Sequence, residues 1–112
     1  MFPGRREKMA KIDGSAVKAT RPKLSLGMVC MTAGINEAQL EDNAFSSEVL
    51  SCFSRYQIGD WGDLCKEDKD ANREALENGD RVLASYHTTH GKVYIITEAD
   101  RSATTLLFAE EY

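Results

Sequence analysis

The sequence predicts an α+β domain: a three- or four-stranded antiparallel meander sheet with two to three helices packed on one face. Three observations carry that expectation. The last third of the chain holds three apolar runs that alternate with period two, the pattern of half-buried strands. Only short connections separate those runs, and short connections imply antiparallel neighbours. The middle of the chain carries apolar stripes at helical spacing, bounded by residues that cap helices.

In chain order, residues 1–22 come first, with Pro3, Gly4, Gly14 and Pro22 and few large apolar side chains. They show no sustained period and are expected to be a disordered arm or an extension, with the folded domain spanning residues 23–112. In "KLSLGMVCM", Leu24, Leu26, Met28 and Cys30 alternate with their neighbours, as a strand requires, and Gly27 marks a weak point or a bulge. "TAGINEAQL" reads as a short helix with Asn36 as its cap, Gln39 completing a capping box and Ile35 stapled to Leu40. "FSSEVLSCFSRYQ" reads as a second helix, capped by Ser46, with Phe45 stapled to Leu50 and Val49, Phe53 and Tyr56 along one face. A third helix is predicted from about Leu64 to Asn78, capped by Asp63, supported by Lys66–Asp70 and Arg73–Glu77 pairs, and ended by Gly79. "RVLASYH", "KVYIIT" and "TTLLFA" are the three strands. Residues 88–91 form a hairpin loop between the first two, and the polar stretch "EADRS" lies between the second and third.

Composition bounds the function. A chain of 112 residues with 42% hydrophobic and 29% charged residues suits one globular domain with a modest core. No apolar run is long enough for a membrane span. The N-terminus lacks the apolar segment of a secretory signal, so a cytoplasmic location is expected. Cys30, Cys52 and Cys65 form no C-x-x-C pair, which excludes a zinc ribbon or thioredoxin-like motif and leaves three reduced, mostly buried thiols. His87 and His90 are three apart, a spacing that points to opposite faces of a strand and argues against a metal pair. Charge is divided unevenly. In residues 1–23, seven Lys/Arg against Glu7 and Asp13 give a net +5; the remaining residues carry a net −9. A basic arm thus precedes an acidic body, and acidic surfaces favour basic partners over nucleic acid.

No phosphate-binding loop, dinucleotide fingerprint, nucleophile elbow or zincin motif is present. Two stretches are unusual. "GDWGD" (residues 59–63) sets Trp61 between glycines and aspartates. It is either a helix-to-helix turn whose Trp61 plugs the core or a loop presenting Trp61 as a binding anchor, and the two readings predict opposite exposures. "IITEADRSATT" is first a polar turn between strands, with Arg101 pairing locally to Glu98 or Asp100. In extended chain, however, Glu98 and Asp100 share a face. Joined by Asp60 or Asp63, they would supply the oxygen ligands of a metal-dependent hydrolase or nuclease.

The segments "GDWGD", "ITEADRS-TT" and the terminal "EEY" resemble a small bacterial family carried on plasmids and other mobile elements, whose members are labelled hypothetical or plasmid-related proteins. The resemblance covers about Leu24 to Tyr112, and it includes an "LG-V" segment followed by "T-PG", where this chain has "MTAGI". It implies a genetic setting, accessory genes on mobile DNA, in which small acidic proteins act by binding.

The expected function is therefore that of a small interaction or regulatory protein, for example an inhibitor of a defence system. Its candidate binding residues are Asp60, Trp61, Asp63, Glu98, Asp100, Arg101 and Ser102. A protein partner is expected, with no catalytic residue, metal or cofactor. Metal-dependent catalysis is the alternative, and nucleic-acid binding through residues 1–22 the second alternative. A small meander also leaves an edge strand open, through which two copies could pair.

Overall fold

The computed structural model describes residues 24–112, and the expectation for the arm lies outside them. The elements run β1 (Met28–Met31), α1 (Ala33–Glu41), α2 (Asn43–Gln57), α3 (Lys66–Asn78), β2 (Val82–Thr88), β3 (Gly91–Thr97) and β4 (Ala103–Phe108), closed by a 3-10 turn at Ala109–Glu111. Three helices and one four-stranded sheet make the α+β fold that the alternations predict.

The sheet order is β1-β4-β3-β2. β2, β3 and β4 form the antiparallel meander, with Val82 opposite Thr97 and Thr97 opposite Thr104. The departure is β1, which lies parallel to β4, Met28 beside Ala103 and Met31 beside Leu106. Parallel neighbours need a long crossover, and here everything from α1 to β3 supplies it. Gly27 enters β1 at φ +62, with its α-carbon so close to the Arg101 and Ser102 carbonyls that a side chain would collide with them. This tight approach lies just before the strand rather than within it.

One core joins the layers. Ile35, Phe45, Val49, Cys52 and Tyr56 of the helices pack on Val82, Ala84, Tyr86, Val93, Ile95 and Leu106 of the sheet. A chain of hydroxyls runs through it. Tyr56 Oη bonds Thr97 Oγ1 at 2.7 Å, Thr97 Oγ1 bonds Thr104 Oγ1 at 2.7 Å, and Thr104 Oγ1 donates to the Leu26 carbonyl at 2.8 Å. Burial without partners would cost each hydroxyl free energy, so this chain fixes α2, β3, β4 and the approach to β1 relative to one another.

Helix starts differ from expectation. Thr32, not Asn36, caps α1, its Oγ1 accepting from Ile35 N–H. Asp42, not Ser46, caps α2, accepting from Ala44 N–H. Neither staple forms, because Leu40 and Leu50 are exposed while Ile35 and Phe45 are in the core. α3 starts at Lys66 with Cys65 as a cap that makes no side-chain bond, because the Asp63 backbone is engaged with β2. Gly79 ends α3 in the left-handed region, as predicted. Lys66 pairs with Asp70, but Arg73 turns back to Asp70 rather than on to Glu77. Cys52 is buried, Cys30 half-buried and Cys65 exposed, all three free, so the thiols are less buried than composition suggested. Among the described residues no helix is long and apolar enough to cross a membrane.

Candidate functional site

The "GDWGD" stretch is a seal on the outer edge of β2. Trp61 is 4% exposed and meets the Tyr56 ring edge-on at 5.5 Å. The reading of Trp61 as an exposed anchor is thereby corrected: the indole fills the core, where its large apolar area contributes most. Gly62 forms a parallel bridge to Ser85. The Ser85 N–H donates to the Trp61 carbonyl, and the Asp63 N–H donates to the Ser85 carbonyl at 2.9 Å. Gly62 sits at φ +76, where an added Cβ would lie 1.9 Å from the Ser85 oxygen, so only glycine permits this approach. The Asp60 carboxylate takes two hydrogen bonds from Arg55 (2.7 and 3.2 Å) and one from Gly62 N–H. The Arg55 bond holds its pKa below the usual value. The Asp60 carbonyl accepts from Tyr86 Oη at 2.7 Å, and Asp63 pairs with His87 at 3.1 Å.

The "EADRS" stretch is a turn that ties three segments together. Asp100 Oδ1 accepts from Ser102 N–H at 3.0 Å; hydrogen bonding from the Ser102 side chain first, and from this N–H second, holds its pKa below the ordinary value. Arg101 sits at φ +62, unusual for a residue with a side chain. Its guanidinium does not pair with Glu98 or Asp100 carboxylates. It donates to main-chain carbonyls instead: Asp80 at 2.7 Å, Glu98 at 3.2 Å and Ala75 at 3.3 Å. Ala75 lies in the last turn of α3, the end of the helix that carries partial negative charge, and its carbonyl also accepts from Gly79 and Asp80 N–H. Ser102 offers its carbonyl to Met28 N–H at 3.0 Å. Glu98 is exposed.

These two stretches do not meet. Gly62 lies opposite Ser85, whereas Glu98 follows Thr97, which lies opposite Val82. Four residues of strand and two strand spacings separate their backbones by on the order of 15 Å. One ion coordinates oxygens at about 2.3–2.6 Å, so Asp60 or Asp63 cannot share it with Glu98 and Asp100. Among the described residues no group of three His, Cys, Asp or Glu is placed to hold a metal. A cleft of about 250 Å³ lies elsewhere, between His90, Gly91 and Lys92 at the hairpin tip and Phe108, Ala109 and Glu110, and none of the candidate residues lines it.

Among the described residues, the outer side of β1 is an unpaired sheet edge. Met28 N–H reaches Ser102 and Thr32 N–H reaches Leu106 in β4. Backbone groups alternate along a strand, so the N–H and C=O groups of Val29 and Met31 face away from the sheet. Among the described residues no strand pairs with that side. Its side chains are apolar and exposed: Met28 is 69% exposed, Val29 and Met31 are also open, and Leu40 of the neighbouring α1 is 78% exposed. On the helix that follows, Glu37 and Glu41 are exposed, whereas Asp42 and Glu48 turn to His90 and Thr89 at the β2–β3 hairpin tip. Asp100 stands in the turn beside the start of β1, and Glu111 accepts from Thr32 Oγ1 at its end (2.8 Å). The sequence signal for this site was the uninterrupted "MVCM".

Comparison of the chain with family models, with curated proteins and with solved structures finds no match.

Proposed function

We propose that this chain is a small cytoplasmic interaction or regulatory protein of mobile genetic elements that acts by binding another protein, for example as an inhibitor of a defence system. The observation that carries the binding role is the unequal treatment of the sheet's two edges. One is covered at Leu83 and Ser85; the other, among the described residues, is open and apolar, with Glu37 and Glu41 exposed on the helix that follows it. Open edges are liabilities that folds ordinarily cover; one left bare beside a sealed one is a surface kept for use. The genetic setting rests on the resemblance of "GDWGD", "ITEADRS-TT" and "EEY" to plasmid-borne proteins. Of the seven candidate residues, Asp60, Trp61, Asp63 and Arg101 make contacts within the fold; Asp100 and Ser102 lie in the turn beside the start of β1, and Glu98 lies across β4 from it.

Affinity capture tests the reading. Immobilised full chain is exposed to bacterial lysate at low salt, and retained proteins are quantified by mass spectrometry. One protein enriched over a charge-matched control, and reconstituting a complex when purified, supports the proposal. Retention of nothing beyond the control overturns it.

A further inference from the structure

The chain has four asparagines, Asn36, Asn43, Asn72 and Asn78, and one of them stands in a reactive setting. Asn78 is the last residue of α3 and precedes Gly79. We propose that Asn78 is a self-modification site, which loses its side-chain amide to attack by the Gly79 nitrogen at a rate set by Arg101. The reaction goes beyond the binding role and needs no partner.

Water is the only co-reactant. The Gly79 backbone nitrogen gives its proton to solvent and bonds to the carbonyl carbon of the Asn78 side chain. The carbon–nitrogen bond of the side-chain amide breaks, and ammonia leaves with a proton taken from water. A five-membered succinimide remains. Water then adds to one of its two carbonyls and the ring opens. Opening at the side-chain carbonyl gives aspartate. Opening at the main-chain carbonyl gives isoaspartate, in which the chain runs through the former side chain. The net change is hydrolysis of an amide to a carboxylate, with no oxidant or reductant.

Local structure singles out Asn78. A side chain on the following residue hinders the attack, and Gly79 has none. No atom lies within 4 Å of the place where its Cβ would stand, and both residues are exposed. Asn36, Asn43 and Asn72 precede Glu37, Ala44 and Arg73 and lie within the spans of α1, α2 and α3. Asn72 is also buried, with its amide bonded both ways to Leu83.

The fold restrains the reaction. Gly79 N–H and Asp80 N–H both donate to the Ala75 carbonyl at 2.9 Å. Arg101 donates to that same carbonyl at 3.3 Å and to the Asp80 carbonyl at 2.7 Å. Its guanidinium thus clasps residues on both sides of the Asn78–Gly79 bond. The Gly79 nitrogen is freed only when this last turn opens, and helix ends are where local opening costs least. After reaction the turn cannot close as before. Isoaspartate lengthens the main chain by one atom, and either product places a carboxylate at the negative end of the helix dipole. Arg101 then loses the pair of acceptors it holds, and the turn it belongs to meets Gly27 and Met28 at the start of β1. The change is a one-way loosening of the α3 end.

The test incubates full-length chain in mildly alkaline buffer at physiological temperature, folded and in unfolding urea, with samples taken over weeks. Peptide mass spectrometry reads the amide-to-acid gain, and electron-transfer fragmentation separates isoaspartate from aspartate. The expected result is conversion of Asn78 to both products in the folded chain, more slowly than in urea, with the other three asparagines intact. Arg101→Ala should accelerate folded-state conversion about tenfold, the loss of a charge-assisted hydrogen bond from the opening equilibrium. Arg101→Lys, which keeps a donor, should fall between, and circular dichroism verifies both folds. Without any variant, conversion in sub-denaturing urea should follow amide exchange at Gly79. Converted chain should show a lower urea midpoint than Asn78→Gln aged in parallel, since glutamine closes the larger ring far more slowly. Intact Asn78 in the folded chain, once the unfolded chain has converted, overturns the site, and so does conversion that follows global unfolding alone. Equal rates in wild type and Arg101→Ala overturn the role of Arg101. An unchanged urea midpoint after conversion overturns the loosening.

Discussion

At the β2 edge, the outward backbone groups of Leu83 and Ser85 are taken. The Asn72 amide donates to the Leu83 carbonyl at 2.7 Å and accepts from Leu83 N–H at 3.3 Å, and the Trp61–Asp63 backbone then takes both groups of Ser85. At the β1 edge, the equivalent groups of Val29 and Met31 have no such cover among the described residues. The contrast is also one of composition. Sealing β2 uses a buried amide, a buried indole and a glycine at positive φ; β1 presents methionines and valine to solvent. The same sheet contains a worked means of closing an edge and one edge to which it is not applied. That difference ties the functional reading to a place in the molecule.

The largest expected effect comes from breaking the seal. Trp61→Ala removes a 4%-exposed indole that packs on Tyr56 and leaves a cavity under the bridge to Ser85. Such truncations cost about 3–5 kcal/mol, measured here by urea unfolding. A loss below about 1 kcal/mol would mean that the indole does not hold the loop on β2. Asn72→Ala comes next. It leaves the Leu83 N–H and C=O exposed to competition from water or from another chain, at a cost of about 1–3 kcal/mol. Amide exchange at Leu83 should accelerate more than at neighbouring Ala84, and the variant should self-associate where wild type does not. Unchanged exchange at Leu83 would show that the amide is not what closes this edge.

How much of this was legible follows from the range of each interaction. Strand alternation is a local property of buried and exposed sides, so "RVLASYH", "KVYIIT" and "TTLLFA" mark β2, β3 and β4 to within a residue or two. The placement of β1 beside β4 is set by contacts more than seventy residues apart in sequence, such as Thr104 with Leu26, and no local pattern encodes them. Caps failed for a related reason. Thr32, Asn36, Asp42 and Ser46 all carry capping chemistry, and the choice between them follows from which helical turn can place Ile35 and Phe45 in the core. For Trp61 the sequence left two readings open, because a tryptophan between glycines is equally consistent with a plug and an anchor. Arg101 was misread because local carboxylates drew attention from the α3 carbonyls, which only the tertiary fold brings near.

A smaller effect concerns the hydrogen bond that pins the seal. Tyr86 Oη donates to the Asp60 carbonyl, and Tyr86 and Tyr56 are both fully buried. Burial raises both phenols above their ordinary 10.0, Tyr56 to about 12. A folded-state value above the unfolded one means that the stabilisation is complete below pH 10 and is lost as pH rises from there toward the folded value. Stability should therefore be flat on the approach to pH 10 and decline beyond it. Tyr86→Phe should cost about 1 kcal/mol at neutral pH and show a shallower alkaline decline. An identical alkaline slope in the variant would remove Tyr86 from the seal's pH response.

The smallest effect lies at the α1–α2 junction, where it meets the β2–β3 hairpin tip. Asp42 ends α1, caps α2 and pairs with His90 of the hairpin tip at 2.9 Å. The His90 bond is the main cause of its lowered pKa. The sign is opposite to the tyrosines: a depressed carboxylate stabilises above its unfolded value of 3.8 and loses that contribution as pH falls through the folded value. Asp42→Asn keeps a good cap, since asparagine also accepts from the helix N–H groups, and removes only the charge. The urea midpoint of wild type should fall more steeply than that of the variant as pH drops below about 4. Both side chains of the pair are partly open to solvent, so the difference should be small and should shrink with added salt. Parallel acid profiles would show that Asp42 acts as a cap alone, and that the α1–α2 junction is held on the hairpin by packing without help from charge.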